Sequence, residues 1–430
     1  MIALLAILPG CMTDGGDGVV SRFTGLEPTA TAPASAVAQP GAAATSEASP
    51  TIAALQARTG ALVPGTPYAR VAEAVMASDA RVAEAELRVA RLRQEAAQKN
   101  WLPRIGPRVS LSSLGDLVAE LVVNQVLFDN GRKVAERDLA KADVEIAAVA
   151  LVEDGNTRVH EALSLFLRAE EGRDAAAHFR RAHKDMSHFE WVMNERVKGG
   201  VSDMSDLNVL RQKLASIAAR ATGAEEDTRT AMAELDAMSA RDLDDLRGTS
   251  GLRETPANVP LGVLRAQAER DAALARARIQ RAAHLPGLGA TAAVSKTGTT
   301  GGLEVTTDSL FGFGTTAELG ALEAGKEAAE RRVTDAREAA ERGIAGQSRR
   351  IAAYRAQLAE AKVLSRQAQQ NLDLFQSQYE GGQRQVMDVV GVYETLAAAL
   401  EREIDIRYQA ARAELELARL KGALAEGSRI

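Results

Sequence analysis

The sequence predicts a mainly α fold with a small β part: long antiparallel helical hairpins carrying two β-hairpins, four strands in all, in a duplicated chain. Three observations predict it. Two stretches of helical pattern run for about 65 residues each, roughly 100 Å at 1.5 Å per residue. Four shorter runs alternate apolar and polar residues with period two, the mark of strands with two unlike faces. Landmarks of the first half also recur in the second half at a nearly constant interval. Leu285-Pro286 follows Leu102-Pro103 by 183 positions (285 − 102), and Leu310-Phe311-x-x-Gly314 follows Leu127-Phe128-x-x-Gly131 by 183 (310 − 127).

Composition fits this class. Of 430 residues, 46% are apolar but only 3% are aromatic, and 26% are charged. Large α/β enzymes fill their cores with more Phe, Tyr and Trp, whereas alanine-rich, charge-rich sequence suits helices packed closely side by side. A net charge of −6 argues against electrostatic binding of nucleic acid. No run of eighteen apolar residues offers a transmembrane helix.

In chain order, residues 1–11 read as a partial lipoprotein-type signal. MIALLAILPG precedes the single cysteine, Cys11, which is the acylation candidate; no Lys or Arg precedes the apolar run. Residues 12–65, rich in Ala, Thr, Ser, Pro and Gly, read as a flexible tether. The first repeat spans 66–245. It opens with a helical pattern over Tyr68–Asn100, closed by Asn100 and Pro103. A hairpin follows over 103–131. Ile105, Pro107, Val109 and Leu111 alternate with Arg104, Gly106 and Arg108, then Leu117, Ala119, Leu121, Val123 and Leu127 form one face of its second run. A helix over about Lys133–Val197 comes next, with Gly155-Asn156 as a candidate bend. Gly199 and Gly200 end it, as glycine past a last turn does. Ser202, Asp203, Ser205 and Asp206 offer caps for a helix running to about Ser239, so the tip turn spans 199–206.

The second repeat, 246–425, repeats this order: a helix to His284, a hairpin over 286–314, a long helix to Tyr379, a tip turn over 381–388 and a helix to about Leu424; residues 426–430 are a tail. Its strand runs are Leu288/Ala290/Ala292/Val294 and Leu303/Val305/Thr307/Phe311/Phe313. Gly298–Gly302 (GTTGG) reads as the exposed loop between them. The glycine pairs lie 182 apart (381 − 199), as do Asp206 and Asp388 (388 − 206). A rival register matches Asp129-x-Gly131-Arg132 to Glu323-x-Gly325-Lys326, 194 apart (323 − 129). It needs a compensating deletion before the glycine pair and is set aside. Sustained register over such a distance indicates duplication.

Four strands of this length suit a bilayer crossing but cannot close a barrel, since the smallest membrane barrels have about eight. An open sheet in lipid leaves two edges of unpaired backbone groups, at a cost of several kcal/mol each. Sister chains are therefore expected to complete the wall. Arg104, Arg108, Glu120, Asn124, Glu304, Thr306 and Asp308 fall on the less apolar face and are expected to line a watery lumen.

Helix, strand pair, long helix, glycine turn and helix, given twice over residues 66–425, resemble the TolC-like outer-membrane efflux proteins, the outer membrane factor family. The most specific match is Tyr379-x-x-Gly382-x-Arg384-x-x-x-Asp388-Val389, with Gly200-x-x-x-x-Ser205-Asp206-Leu207 as its counterpart. The resemblance implies a homotrimer with a twelve-stranded barrel in outer-membrane lipid. It also implies helices tapering across the periplasm and docking on an inner-membrane pump and its periplasmic adaptor (membrane fusion) protein. By resemblance, Tyr379 and Arg384 would bond Ser205 and Asp206 to latch the periplasmic tip, and Asp388 would line the constriction. Where the best-known member carries a further acid, this chain has Gly391.

No cofactor, metal site or catalytic set is expected. His178, His183 and His188 are five apart, which turns them around a helix instead of stacking them. GTTGG lacks the Lys-Ser/Thr of a phosphate loop. Phe189, Trp191 and Tyr379, near the tips, read as packing anchors in preference to an adaptor-binding surface. The expectation is a passive export duct of a tripartite efflux or type I secretion system; the rival is a soluble periplasmic coiled-coil adaptor or scaffold subunit.

Overall fold

The computed structural model describes residues 49–77, 82–111, 117–254, 258–295, 298–309 and 312–426. Cys11, most of the expected tether, and Leu310-Phe311 lie outside the described residues. The element order is α1 Pro50–Gln56, α2 Pro67–Met76, α3 Val82–Gln98, β1 Arg104–Leu111, β2 Leu117–Phe128, α4 Arg132–Lys198, α5 Met204–Met238, α6 Leu261–Ala283, β3 Gly287–Ser295, β4 Gly298–Thr306, α7 Thr315–Glu380 and α8 Val386–Leu420.

Duplication is visible in the element lengths. The long helices α4 and α7 have 67 and 66 residues, and α5 and α8 have 35 each. Gly131 and Gly314 are the N-cap residues of α4 and α7, which supports the interval of 183; Gly325, needed by the rival register, sits inside α7.

α4 is the central helix. It packs against α5, α6, α8, α3 and α2, whereas α7 packs chiefly on α8 and α6. Val159, Leu163, Phe166 and Leu167 of α4 are accordingly buried against Tyr68, Val71, Leu235, Tyr408 and Leu415. Val363, Leu364 and Leu374 of α7 stay exposed. Glycine allows the closest of these approaches. A Cβ on Gly172 would lie 2.8 Å from the Ala224 carbonyl oxygen of α5, and one on Gly155 3.1 Å from Met76 Cε. Gly155-Asn156, expected as a bend, is an interior packing point of a continuous helix. Asn156 donates to the Arg419 carbonyl at 2.9 Å and accepts from the Leu424 amide at 3.1 Å.

The tether expected up to residue 65 is corrected over its last part. Ser49 caps α1 and donates to Glu145 at 2.6 Å, and Leu55 is fully buried. Residues 57–66 then form a strap between the inter-repeat linker and the end of the chain. Ala61 bonds the Ala423 carbonyl, Val63 the Gly251 carbonyl, and Leu62 bridges Leu252. Arg58 is buried and donates to the carbonyls of Val259 (2.6 Å), Lys421 (3.1 Å) and Gly422 (3.3 Å). Burial lowers its guanidinium pKa to about 10, so it stays charged at neutral pH. A charge so placed satisfies carbonyls left over at the end of α8 and before α6.

The four strands make one antiparallel sheet in the order β1-β2-β3-β4. The two hairpins thus join directly, β2 to β3. Gly298–Gly302, expected as a loop, opens β4: Ser295 pairs with Gly298 and Thr291 with Gly302. Thr299 and Thr300 favour strand, and Gly301 lies where a Cβ would come within 3.4 Å of the Thr291 carbonyl oxygen. A register shift between Val126 and Phe128 places Phe128, and not Leu127, opposite Leu288. β4 ends at Thr306, so Thr307 and Phe313 lie beyond the strand they were expected to extend.

Candidate functional site

Two regions carry the functional argument: the sheet and the helix tips. The pairing separates the sheet's faces cleanly. Ile105, Val109, Leu121, Val294, Leu303 and Val305 share one face and are 48% to 73% exposed. Six large apolar side chains on one open surface of a soluble protein would be an aggregation liability, whereas in hydrocarbon they are at home. The opposite face carries Arg104, Arg108, Glu120, Asn124, Thr291, Thr300, Glu304 and Thr306. Arg108 stands opposite Glu120 with 3.5 Å between charged atoms, and both line a hollow shared with Glu304. Among the described residues, β1 and β4 each have one side without a strand neighbour.

The sheet is fixed to the helices by a polar joint. Asn130 (φ 54°) and Gly131 (φ 83°) turn the chain through the left-handed region into α4, and Asp129 accepts from the Lys133 amide at 2.6 Å. Asn130 donates to the Pro286 carbonyl at 2.9 Å, and Arg132 pairs with Asp308 just past β4. Both hairpins are therefore tied to the start of one helix. Asp308, expected in the lumen-facing row, serves this joint.

At the opposite end, α4 and α7 close in matching Schellman motifs. Gly200 (φ 72°) bonds the Val197 carbonyl and Val201 the Arg196 carbonyl; Gly382 (φ 75°) bonds the Tyr379 carbonyl and Gln383 the Gln378 carbonyl. Gly199 and Gly381 are the preceding C-cap residues. One apolar core binds the two tips together, including Met186, Phe189, Met193, Leu207 and Leu210 of the first repeat and Leu372, Val386, Val389 and Tyr393 of the second. Tyr379 packs against it. Tyr393 donates to Asp185 at 2.8 Å across α8 and α4; burial, then the Asp185 carboxylate, raises its hydroxyl pKa.

The residues expected to latch the tip are all there, but they have other partners inside the protomer. Arg384 donates to Gln378 at 3.0 Å and lies 4.4 Å over the Phe375 ring. Asp388 accepts from the Gln385 amide at 3.1 Å, closing a capping box on α8. Asp203 caps α5 by accepting from Ser205, and Asp206 sits in that helix's first turn, where its charge meets the positive end of the macrodipole. No bond joins Tyr379 or Arg384 to Ser205 or Asp206 within the protomer. Trp191, expected as a packing anchor, is 59% exposed, while Phe189 is buried.

Sequence reasoning missed a charge ladder between α5 and α8. Lys213 pairs with Glu394 and Arg220 with Glu401. The seven-residue spacing on both helices keeps successive pairs on one seam and was the available signal. Tyr408 and Arg407 add contacts to Asp174 of α4. Among the described residues, no group of His, Cys, Asp and Glu is arranged to hold a metal ion, and no helix is long and apolar enough to cross a membrane.

Comparison with known proteins agrees with this architecture. Residues 261–423 match the family described as Outer membrane efflux protein. Among solved structures, a membrane protein from Pseudomonas aeruginosa superposes with a TM-score of 0.74 at 15% identity, covering 86% of this chain and 92% of that one. The outer membrane protein VceC from Vibrio cholerae gives 0.71 at 16%, covering 84% and 96%. The open state of the Neisseria gonorrhoeae MtrE outer membrane channel gives 0.69 at 18%, covering 84% and 89%. No curated protein matches the chain. Most of the second repeat thus matches the outer membrane efflux protein family, in a chain that has the fold of the TolC-like channels.

Proposed function

We propose that this protein is a passive export duct in the bacterial outer membrane. Three copies contribute four strands each to a twelve-stranded barrel, and their helices extend through the periplasm toward an adaptor and an inner-membrane pump. The observation that carries the reading is the two-faced sheet with two open edges: an apolar face suited to lipid, a charged face suited to water, and backbone groups that hydrocarbon cannot satisfy. A soluble periplasmic adaptor would have no use for an exposed apolar sheet of this kind, and the matched family and the solved neighbours favour the channel. Acylation of Cys11 would add a second anchor.

Gating belongs to the same proposal. Tyr379, Arg384, Ser205, Asp206 and Asp388 lie at the tips, where the copies converge in a trimer, and pairing of Arg384 with Asp206 between subunits would compete with its contacts to Gln378 and Phe375. One exposed pair contributes about 0–1 kcal/mol, so a ring of several holds a closed state that a docking partner can overturn. Single-channel recording in planar bilayers tests both levels. The native protein conducts, and Arg384→Ala or Asp206→Ala raises conductance. Unchanged conductance in both variants removes the latch and leaves the channel. A purified protein that never conducts removes the channel.

A further inference from the structure

The seam between α4 and α8 contains a buried histidine that neither the sheet nor the tips explain. His178 of α4 is packed where the two repeats meet, and its Nε2 is sealed from solvent with no hydrogen-bond partner. The ring's bond to the Ala397 backbone of α8 therefore belongs to Nδ1. In a neutral imidazole, donation through Nδ1 leaves Nε2 as a bare acceptor. Burial, helped by Arg220 and Arg181, holds the imidazole pKa below its usual value against the pull of the Ala397 bond. A proton on Nε2 would make a buried cation and a donor with nothing to bond, both costly in a packed seam.

The surroundings offer that proton a second arrangement. His178 borders a cleft of about 200 Å³ with α4 as its floor and α5 and α8 as its walls. α5 and α8 make little backbone contact of their own. Lys213–Glu394 and Arg220–Glu401 clasp them together across this cleft, and Arg220 also lies 4.3 Å over the Phe179 ring. Glu394 and Glu401 are thus carboxylates that share the cleft with His178, each engaged by a cation of α5. His178 also borders a second cleft, of about 550 Å³, between α4, α7 and α8. Arg181, Lys184, Asp185 and His188 of α4 line it, with Asp185 bonded by Tyr393 of α8; α7 brings Gln369 and Gln376 but no charge. The ring therefore has room to turn out of the seam.

We propose that His178 is an acid-sensitive switch in the helical wall. Neutral, it bonds Ala397 and seals α8 to α4; protonated, it turns out of the seam and competes with Lys213 and Arg220 for Glu394 and Glu401. The two states differ in named contacts, which is what lets a proton shift the balance between them. Acid then loosens α8 from α4 and α5 at one level of the wall. Ala182, Met186 and Tyr393 border these clefts and belong to the apolar core that binds the two tips, so the loosening reaches the tips. The switch is a property of the helices and stands apart from conduction.

Hydrogen exchange of the full chain in mild detergent, followed by mass spectrometry from pH 7.5 to 5 and corrected for the intrinsic pH dependence of exchange, tests the switch. A proton bound only in the loosened state raises local opening by up to about tenfold per pH unit below about 6.5. The expected result is a several-fold loss of protection at the acid end in residues 174–186 of α4 and 393–401 of α8, absent in His178→Gln and His178→Phe. The slow C2–H exchange of each histidine is read from the same digests of the native protein, so the test does not hang on the variants folding. The midpoint for His178 should coincide with the midpoint of the loosening. Unchanged protection in the native protein overturns the switch. So does a loosening that tracks His183 or His188 instead, or one that persists in both variants.

Discussion

Asn156, 4% exposed in α4, accepts a hydrogen bond from the Leu424 amide at 3.1 Å and so fastens the first repeat's long helix to the last turn of the chain. The same side chain donates to the Arg419 carbonyl. Both contacts span more than 260 residues of sequence. Asn156→Leu orphans the buried Leu424 amide, at about 1–3 kcal/mol, while the Arg419 carbonyl keeps the Gly422 amide at 2.8 Å. A clear fall in the thermal midpoint of the detergent-solubilised protein is expected. An unchanged midpoint would show that water or a neighbour satisfies this amide.

The α4–α5 contact is set by Gly172. A Cβ there would collide with Thr228 Oγ1 and lie 2.8 Å from a backbone oxygen that no rotamer change can move. Gly172→Ala is expected to destabilise by about 1–3 kcal/mol through overpacking, even though alanine favours helix. Gly223 provides the contrast, because an added methyl would meet nothing within 4 Å. Gly223→Ala is expected to be neutral or stabilising in the same thermal assay.

His160 gives the helix bundle a pH dependence. Its Nε2 lies 3.2 Å from Glu416, yet burial outweighs that carboxylate and holds the imidazole pKa below its usual value. The unfolded chain therefore takes up a proton near pH 6.5 that the folded chain does not accept until lower pH. Stability falls as pH drops below about 6.5 and this contribution levels off beneath the folded-state value. Comparing midpoints of the native protein and His160→Gln from pH 7.5 to 5 should show a smaller loss in the variant. Equal losses would assign the dependence to other groups.

The two faces of the sheet predict opposite tolerances. Val305→Arg puts a charge in hydrocarbon at a depth-dependent cost of up to about 2–4 kcal/mol and should reduce the amount of assembled protein in the outer membrane. Glu304→Gln, one residue away and on the polar face, should assemble normally. Equal yields of the two variants would contradict the assignment of faces.

Much of this was legible in the sequence because it is local or periodic. Gly199-Gly200 and Gly381-Gly382 announce the tips since only glycine takes the left-handed turn cheaply there, and α4 and α7 follow from uninterrupted helical pattern. The alternation of Ile105, Pro107 and Val109 with Arg104 and Arg108 marked the correct faces. Less legible was whatever depends on distant partners. The strap over 57–66 has no periodicity, and Arg58 is explained only by carbonyls about 200 and 360 residues away. Gly298–Gly302 has loop composition but is held extended by β3. Asp388 was read as lining a constriction, whereas within one protomer it caps its own helix.

The central claim is that four strands per chain are completed by sister chains. Mass measurement of the purified protein in mild detergent, on the same sample used for planar-bilayer recording, tests it most directly. A trimeric mass together with ion conductance is the predicted result; a stable monomer that never conducts would contradict it.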